Sequence, residues 1–141
     1  MRPELWDWDF DGDEISAYLV GNATLLVEEF YLGPSGTGAN FHVHTSAMNV
    51  LVAGAKLWAL APPGRAFVTS MPLARYLRTR NRRRRAEDDG LLFCVQQPGD
   101  AVFVPSQWAH ATTNLGELNV GIAVEYLSVH EMGPGFFSKE S

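Results

Sequence analysis

His42 and His44 stand two residues apart in Phe41-His42-Val43-His44. In an extended chain both imidazoles leave one face while Phe41 and Val43 leave the other. Two neutral imidazoles on one face grip a divalent metal such as Fe, Zn, Ni or Cu, and a third ligand must come from elsewhere. His110, in Pro105-Ser106-Gln107-Trp108-Ala109-His110, is the natural third, because it opens a strand just after a proline-containing turn, where the mouth of a barrel would hold a ligand. The duller alternative is that an H-x-H pair is two polar residues on a solvated face. The setting favours the metal: three of the four histidines fall beside turns in an otherwise apolar strand pattern. His130, near the C-terminal end, reads as a surface residue.

Other reactive side chains give less. Cys94, between Phe93 and Val95, reads as a small core residue in a strand, with no neighbouring base or positive charge to make it a nucleophile. As the single cysteine it excludes an intramolecular disulfide and fits a reducing compartment. The carboxylates Glu28, Glu29 and Glu125 lie in strand patterns. One of them could reach a metal or support a histidine, and strand parity does not decide which.

The elements that must position these residues are short strands punctuated by Gly, Pro and Asn, the pattern of an all-β barrel or sandwich. Strands are expected at 24–32, 41–45, 48–52, 56–60, 91–96, 101–104, 111–114 and 118–126. Ala53-Gly54-Ala55 suits a hairpin connection and Pro62-Pro63-Gly64 a strand stop. From Met71 to about Ala86 the alternation fails, and Leu73, Tyr76 and Leu77 fall at helical spacing, so a short helix or irregular Arg-rich insertion is expected over 72–90. The tail over 133–141 reads as loose.

With 141 residues and 46% hydrophobic content, the chain suits one domain over 1–141 with its core at about 24–126. Its start is acidic and aromatic, without the basic and apolar runs of a secretory signal, and no stretch approaches membrane-spanning length. An intracellular chain, cytoplasmic or nuclear, without a membrane partner is expected. A net charge of -5 argues against a protein built to hold nucleic acid. Seven of the eleven basic residues lie between Arg75 and Arg85, and no aromatics interleave with Arg82-Arg83-Arg84-Arg85. That run reads as a solvated insertion, with a nucleic-acid contact or nuclear-localisation signal as the second reading. Trp6, Trp8 and Phe10 alternate with Asp7 and Asp9, which could mark an edge strand covering the barrel, and core packing is their expected role.

Ser35-Gly36-Thr37-Gly38, His42-Val43-His44 and Thr45 to Trp58 resemble the first metal-binding half of a Jumonji C domain of the arginine demethylase/lysyl hydroxylase-like group. Gln97 to Pro105, Trp108-Ala109-His110 and Asn114-Leu115 resemble its second half, so the resemblance runs from about Phe30 to Tyr126. It implies a double-stranded β-helix of the cupin or jelly-roll kind that binds Fe(II) and 2-oxoglutarate. The activity it implies is oxygenation, in which 2-oxoglutarate supplies electrons that help dioxygen hydroxylate a C–H bond of a protein side chain or small molecule. His42, His44 and His110 are then the metal ligands, with Zn or another divalent ion as an alternative to iron. Lys56 matches the residue whose ammonium pairs with the distal carboxylate of 2-oxoglutarate. Asn49 and Asn114 match polar residues lining the cosubstrate pocket, and Thr37 a cosubstrate-contacting threonine, its register shifted by Ala39-Asn40.

Lys56 is also the only charge between His44 and Arg65, and a cation there calls for an anion. Its structural alternative is a lysine snorkelling beside the Ala53-Gly54 turn. The chain departs from the family pattern where His44 replaces a carboxylate, and where Ile122, Ala123 and Val124 replace a cosubstrate-contacting threonine. Two further readings therefore stand beside the oxygenase: a catalytically degenerate metal-binding or interaction module, and a three-histidine cupin dioxygenase that does not use 2-oxoglutarate.

Overall fold

A computed structural model of the chain describes residues 24–81 and 90–127. The expectations for Trp6, Trp8 and Phe10, for Arg82–Arg85, for His130 and for the tail concern residues outside this range.

The strands are β1 (Thr24–Pro34), β2 (Ser46–Ala53), β3 (Lys56–Ala61), β4 (Leu92–Gln96), β5 (Ala101–Val104), β6 (Ala109–Asn114) and β7 (Leu118–Leu127). Among the described residues a 3-10 turn (Pro63–Arg65) and one α-helix, α1 (Leu73–Asn81), stand between β3 and β4. The strands form two antiparallel sheets, one in the order β1-β7-β2-β5 and the other β4-β3-β6. This is the expected jelly-roll barrel, and its interior is a cavity of about 420 Å³ lined by both sheets.

Alternation along β3 and β6 separates two environments. Lys56 and Trp58 of β3 and His110, Thr112 and Asn114 of β6 line the cavity. Ala59, Ala61, Ala109 and Ala111 turn the other way, and their small side chains let Phe41, Leu73 and Leu91 pack directly on the sheet. Tyr76 and Leu77 join them from α1, so the helical spacing read from the sequence is the face that seals the outside of this sheet.

Two turns hold the strand ends in register. Gly54 adopts a positive φ of 93° between β2 and β3, and a side chain there would strike Asn119 and the Leu118 carbonyl. Asn119 is fully buried; its Oδ1 accepts from the Ala55 N–H at 2.8 Å and its amide donates to the Gly116 carbonyl at 3.1 Å. Gln96 joins the two sheets in the same way. It is 1% exposed, donates to the carbonyls of Asn49 and Asp100 at 2.9 and 3.0 Å, and accepts from the Trp58 indole at 2.9 Å. Gln96→Leu leaves a buried donor and two carbonyls unpaired, and is expected to cost roughly 2–4 kcal/mol. Urea unfolding measures it, and a loss below about 0.5 kcal/mol would show that the bridge is dispensable.

Two expectations are corrected. Residues 41–45 do not form a strand: the segment makes only an isolated antiparallel bridge, His42 with His110. The chain from Gly36 runs beside β6 through backbone bonds of Gly36 and Thr37 with Asn114, Ala39 with Thr112 and His42 with His110. It advances three residues from Ala39 to His42 while β6 advances two, so a bulge at Asn40 interrupts the ladder. Cys94 is exposed and not core, because among the described residues β4 is an edge strand, on which Phe93 and Val95 are exposed as well.

Candidate metal centre

The bulge that prevents a strand also aims the first histidine. The backbones of His42 and His110 exchange N–H···O bonds of 3.1 and 3.0 Å, a pairing that sends both side chains to one side. His44 follows two residues on, its carbonyl accepting from the Gln107 N–H at 3.2 Å. Gln107 holds a positive φ of 65° in the turn that delivers His110 to the cavity. The ring centroids of the three histidines lie 4.2 to 5.1 Å apart.

Each ring is also fixed in tautomer. His42 Nδ1 faces the Asn40 carbonyl at 2.7 Å, His44 Nδ1 the Thr45 carbonyl at 2.6 Å and His110 Nδ1 the Trp108 carbonyl at 3.0 Å. A carbonyl oxygen only accepts, so each Nδ1 carries a proton and Nε2 is the nitrogen each ring can offer a cation. Burial pushes His110 down to about 4, with the Trp108 carbonyl opposing and the neighbouring His42 and His44 adding to the fall, so it is neutral at pH 7.

One ring nitrogen from each histidine lies within 4.8 Å of the other two, a cluster that could hold a metal ion. Three points so spaced all lie within about 2.8 Å of a common centre, so each ring needs to close by less than about 1 Å to reach the 2.0–2.1 Å of a metal–imidazole bond. Three imidazole nitrogens at a cavity wall suit Fe(II), Zn(II) or a similar divalent ion.

The opposite part of the cavity carries a buried cation. Lys56 is 5% exposed, and among the described residues no carboxylate lies within ion-pair reach of it. Its ammonium sits 3.4 Å from the centroid of the Tyr31 ring and 6.0 Å from that of Trp58. Burial pushes it down to about 8, which leaves it mostly charged at neutral pH. Burial likewise pushes the Tyr31 phenol up to about 12, against the bond it donates to Asn49 Oδ1 at 2.7 Å, so the ring meets Lys56 as a neutral π face.

Tyr31 was not among the residues singled out from sequence. It crosses β7 at Gly121, its register partner, where any side chain would collide with the phenol. Asn49, Asn114 and Thr37 all line the cavity. Asn114 donates to Thr37 Oγ1 at 3.0 Å, while its buried Oδ1 has no partner and is open to a donor from a ligand. Thr37 already donates its hydroxyl proton to the Pro34 carbonyl at 2.7 Å.

Residues 29–126 match the family model described as "JmjC domain, hydroxylase". The chain belongs to the JmjC family. The bifunctional arginine demethylase and lysyl-hydroxylase psr-1 of Caenorhabditis briggsae is 31% identical over 121 residues, covering 73% of this chain and 30% of that protein. The arginine-specific demethylase JMJ22 of Arabidopsis thaliana is 27% identical over 125 residues, covering 78% of this chain and 25% of that protein. The lysine-specific demethylase JMJ21 of the same plant is 29% identical, over 77% of this chain and 14% of its own length. This JmjC chain thus spans less than a third of the curated relatives it matches. Among its described residues no helix is long and apolar enough to cross a membrane. Iron and 2-oxoglutarate fit the family, and the donor set and the unpaired Lys56 fit both groups.

Proposed function

We propose that this JmjC chain forms the barrel of an Fe(II)- and 2-oxoglutarate-dependent oxygenase, of hydroxylase or demethylase type, acting on a protein side chain. The observation that carries the reading is the buried Lys56, with no carboxylate in reach among the described residues, in the cavity that also presents three converging imidazole nitrogens. His42, His44 and His110 would hold the metal. Lys56 would bind the distal carboxylate of 2-oxoglutarate, with Asn49, Asn114 and Thr37 shaping its pocket. On β3 and β6, Lys56 pairs with Asn114 and Leu60 with His110, so lysine and histidine stand four residues apart, about 13 Å along the strands. When bound, iron and 2-oxoglutarate would supply the oxidising chemistry, with dioxygen consumed and succinate and CO2 released. The protein's own part is to orient the diacid between cation and metal, and to hold three rings in one tautomer. The demethylase and hydroxylase names of the relatives support a protein side chain as substrate.

Anaerobic Fe(II) reconstitution followed by exposure to air and 2-oxoglutarate is expected to release succinate above a His110→Ala control. Equal succinate from the two proteins would sink the oxygenase reading. Two features favour a metal-binding module without turnover as the second reading, namely His44 in the carboxylate position and the apolar side chains of Ile122 to Val124 on β7. Metal binding without any 2-oxoglutarate affinity would select that module.

A further inference from the structure

We propose that Glu125 supplies the carboxylate that His44 displaces, joining His42, His44 and His110 as a fourth ligand to one divalent ion before cosubstrate binds. The inference rests on reading the three histidines as metal ligands. Glu125 lies on β7 opposite Ala47 of β2, and both line the cavity, where the alanine leaves the longer side chain room. Its Oε1 is 3.7 Å from His44 Nε2. Glu29 also lines the cavity, but among the described carboxylates only Glu125 comes within 4.0 Å of a histidine nitrogen.

The chemistry of that pair is unusual for a hydrogen bond. The Thr45 carbonyl accepts from His44 Nδ1–H, so Nε2 is the ring atom turned to Glu125, and the carboxylate has only lone pairs to offer it. Such a pair is joined by a cation held between the two atoms, and a divalent ion held by the neighbouring histidines is in place to serve both. At 3.7 Å they are too far apart to share a proton well. Two ligands at 2.0–2.2 Å from one ion lie roughly 3 to 3.6 Å apart at ordinary coordination angles, close to the observed separation. Charge points the same way. Two imidazoles and a carboxylate lower a divalent centre by one unit, three imidazoles leave it unchanged, and Glu125 restores the missing unit. Four protein ligands leave two positions of six, which a chelating 2-oxo acid would fill with none left for dioxygen, so the fourth ligand is assigned to the metal-bound protein without cosubstrate.

The test is a calorimetric titration of Co(II) into the metal-free protein, without 2-oxoglutarate, alongside the visible Co(II) spectrum. Glu125→Gln keeps the size and removes the charge. It is expected to weaken Co(II) by about 10- to 100-fold or more, because losses of that size already follow removal of partners outside the coordination shell. The Co(II) bands are expected to shift, and Glu125→Asp to bind with intermediate affinity. Unchanged Co(II) affinity and bands in Glu125→Gln would overturn the inference while leaving the three-histidine centre standing. A lower Tm of the metal-free variant with unchanged Co(II) affinity would overturn it too, showing an ion pair with protonated His44 only. If Glu125→Gln does not fold, Glu125→Asp decides alone: affinity equal to that of the unaltered protein, with the same bands, overturns the inference. A protein that binds no Co(II) at all would remove both the inference and the metal centre beneath it.

Discussion

Lys56→Met is expected to abolish 2-oxoglutarate binding and, in the same protein, to raise stability when no diacid is present. The two effects have one cause. Lys56 is buried against Tyr31 and Trp58 with no carboxylate partner among the described residues, so folding strips water from a charge and returns a π face. The fall of its pKa from 10.5 to about 8 states the same penalty. Below about pH 8 both folded and unfolded chains carry the proton and the penalty is present in full. Between about 8 and 10.5 the unfolded chain holds a proton that the native protein has released, so stability rises with pH across that window. The full shift corresponds to roughly 3 kcal/mol, and solvent in the open cavity reduces this to about 1–2 kcal/mol.

Methionine keeps the length and removes the charge, so at pH 7 the variant should unfold at higher urea concentration than the unaltered protein. Its stability should not rise between pH 8 and 10.5 through this group. Addition of 2-oxoglutarate with Mn(II) should raise the Tm of the unaltered protein beyond Mn(II) alone, and should do nothing further for Lys56→Met. Affinity for the diacid in the unaltered protein should also fall as pH rises through about 8. A variant that is less stable and still binds 2-oxoglutarate would show that Lys56 is a packing residue.

The barrel was legible because its signals are local. Glycine, proline and asparagine turns separate period-two runs, and Leu73, Tyr76 and Leu77 mark the face of α1 that reaches the core. His42, His44 and His110 were legible from residue type and the turns beside them, and the structure brings all three together. What sequence could not supply was position in the sheet. The run Phe93-Cys94-Val95 looks like core by hydropathy, yet β4 is an edge strand among the described residues, and edge status is decided by distant pairing. Tyr31 was hidden for the same reason, and so was the choice of Glu125 over Glu28 and Glu29. β1 shifts register between Leu25 and Val27, and the β2–β7 pairing shifts between Leu51 and Ala53, so parity counted along one strand does not carry to its neighbour. A retrospective signal did exist for Tyr31: Gly121, alone among larger residues in β7, marks a place where another chain segment must approach closely.

His110→Ala is expected to separate folding from metal binding more sharply than any other single change. His110 contributes one of three converging nitrogens, but its backbone carries the bridge to His42 and remains in the variant. The side chain also stacks on Trp58 at 6.0 Å and satisfies the Trp108 carbonyl, so its removal should cost the metal-free protein about 1–3 kcal/mol without disassembling the barrel. Metal should then distinguish the two proteins. An ion present at 100 times its dissociation constant adds about 2.7 kcal/mol to a protein that binds it only when folded. Two imidazoles remaining from three leave a poorer site, and the loss in affinity should exceed the about 10- to 100-fold seen when only a supporting partner is removed. The unaltered protein should therefore show a Tm that climbs with Co(II) concentration, while the Tm of His110→Ala stays flat over the same range. The neutrality of His110 at pH 7 means that this ring gives up no proton to the ion, so its share of the stabilisation should persist toward mildly acidic pH. Parallel climbs in the two proteins would place the metal somewhere other than the three histidines, and the oxygenase reading would fall with them.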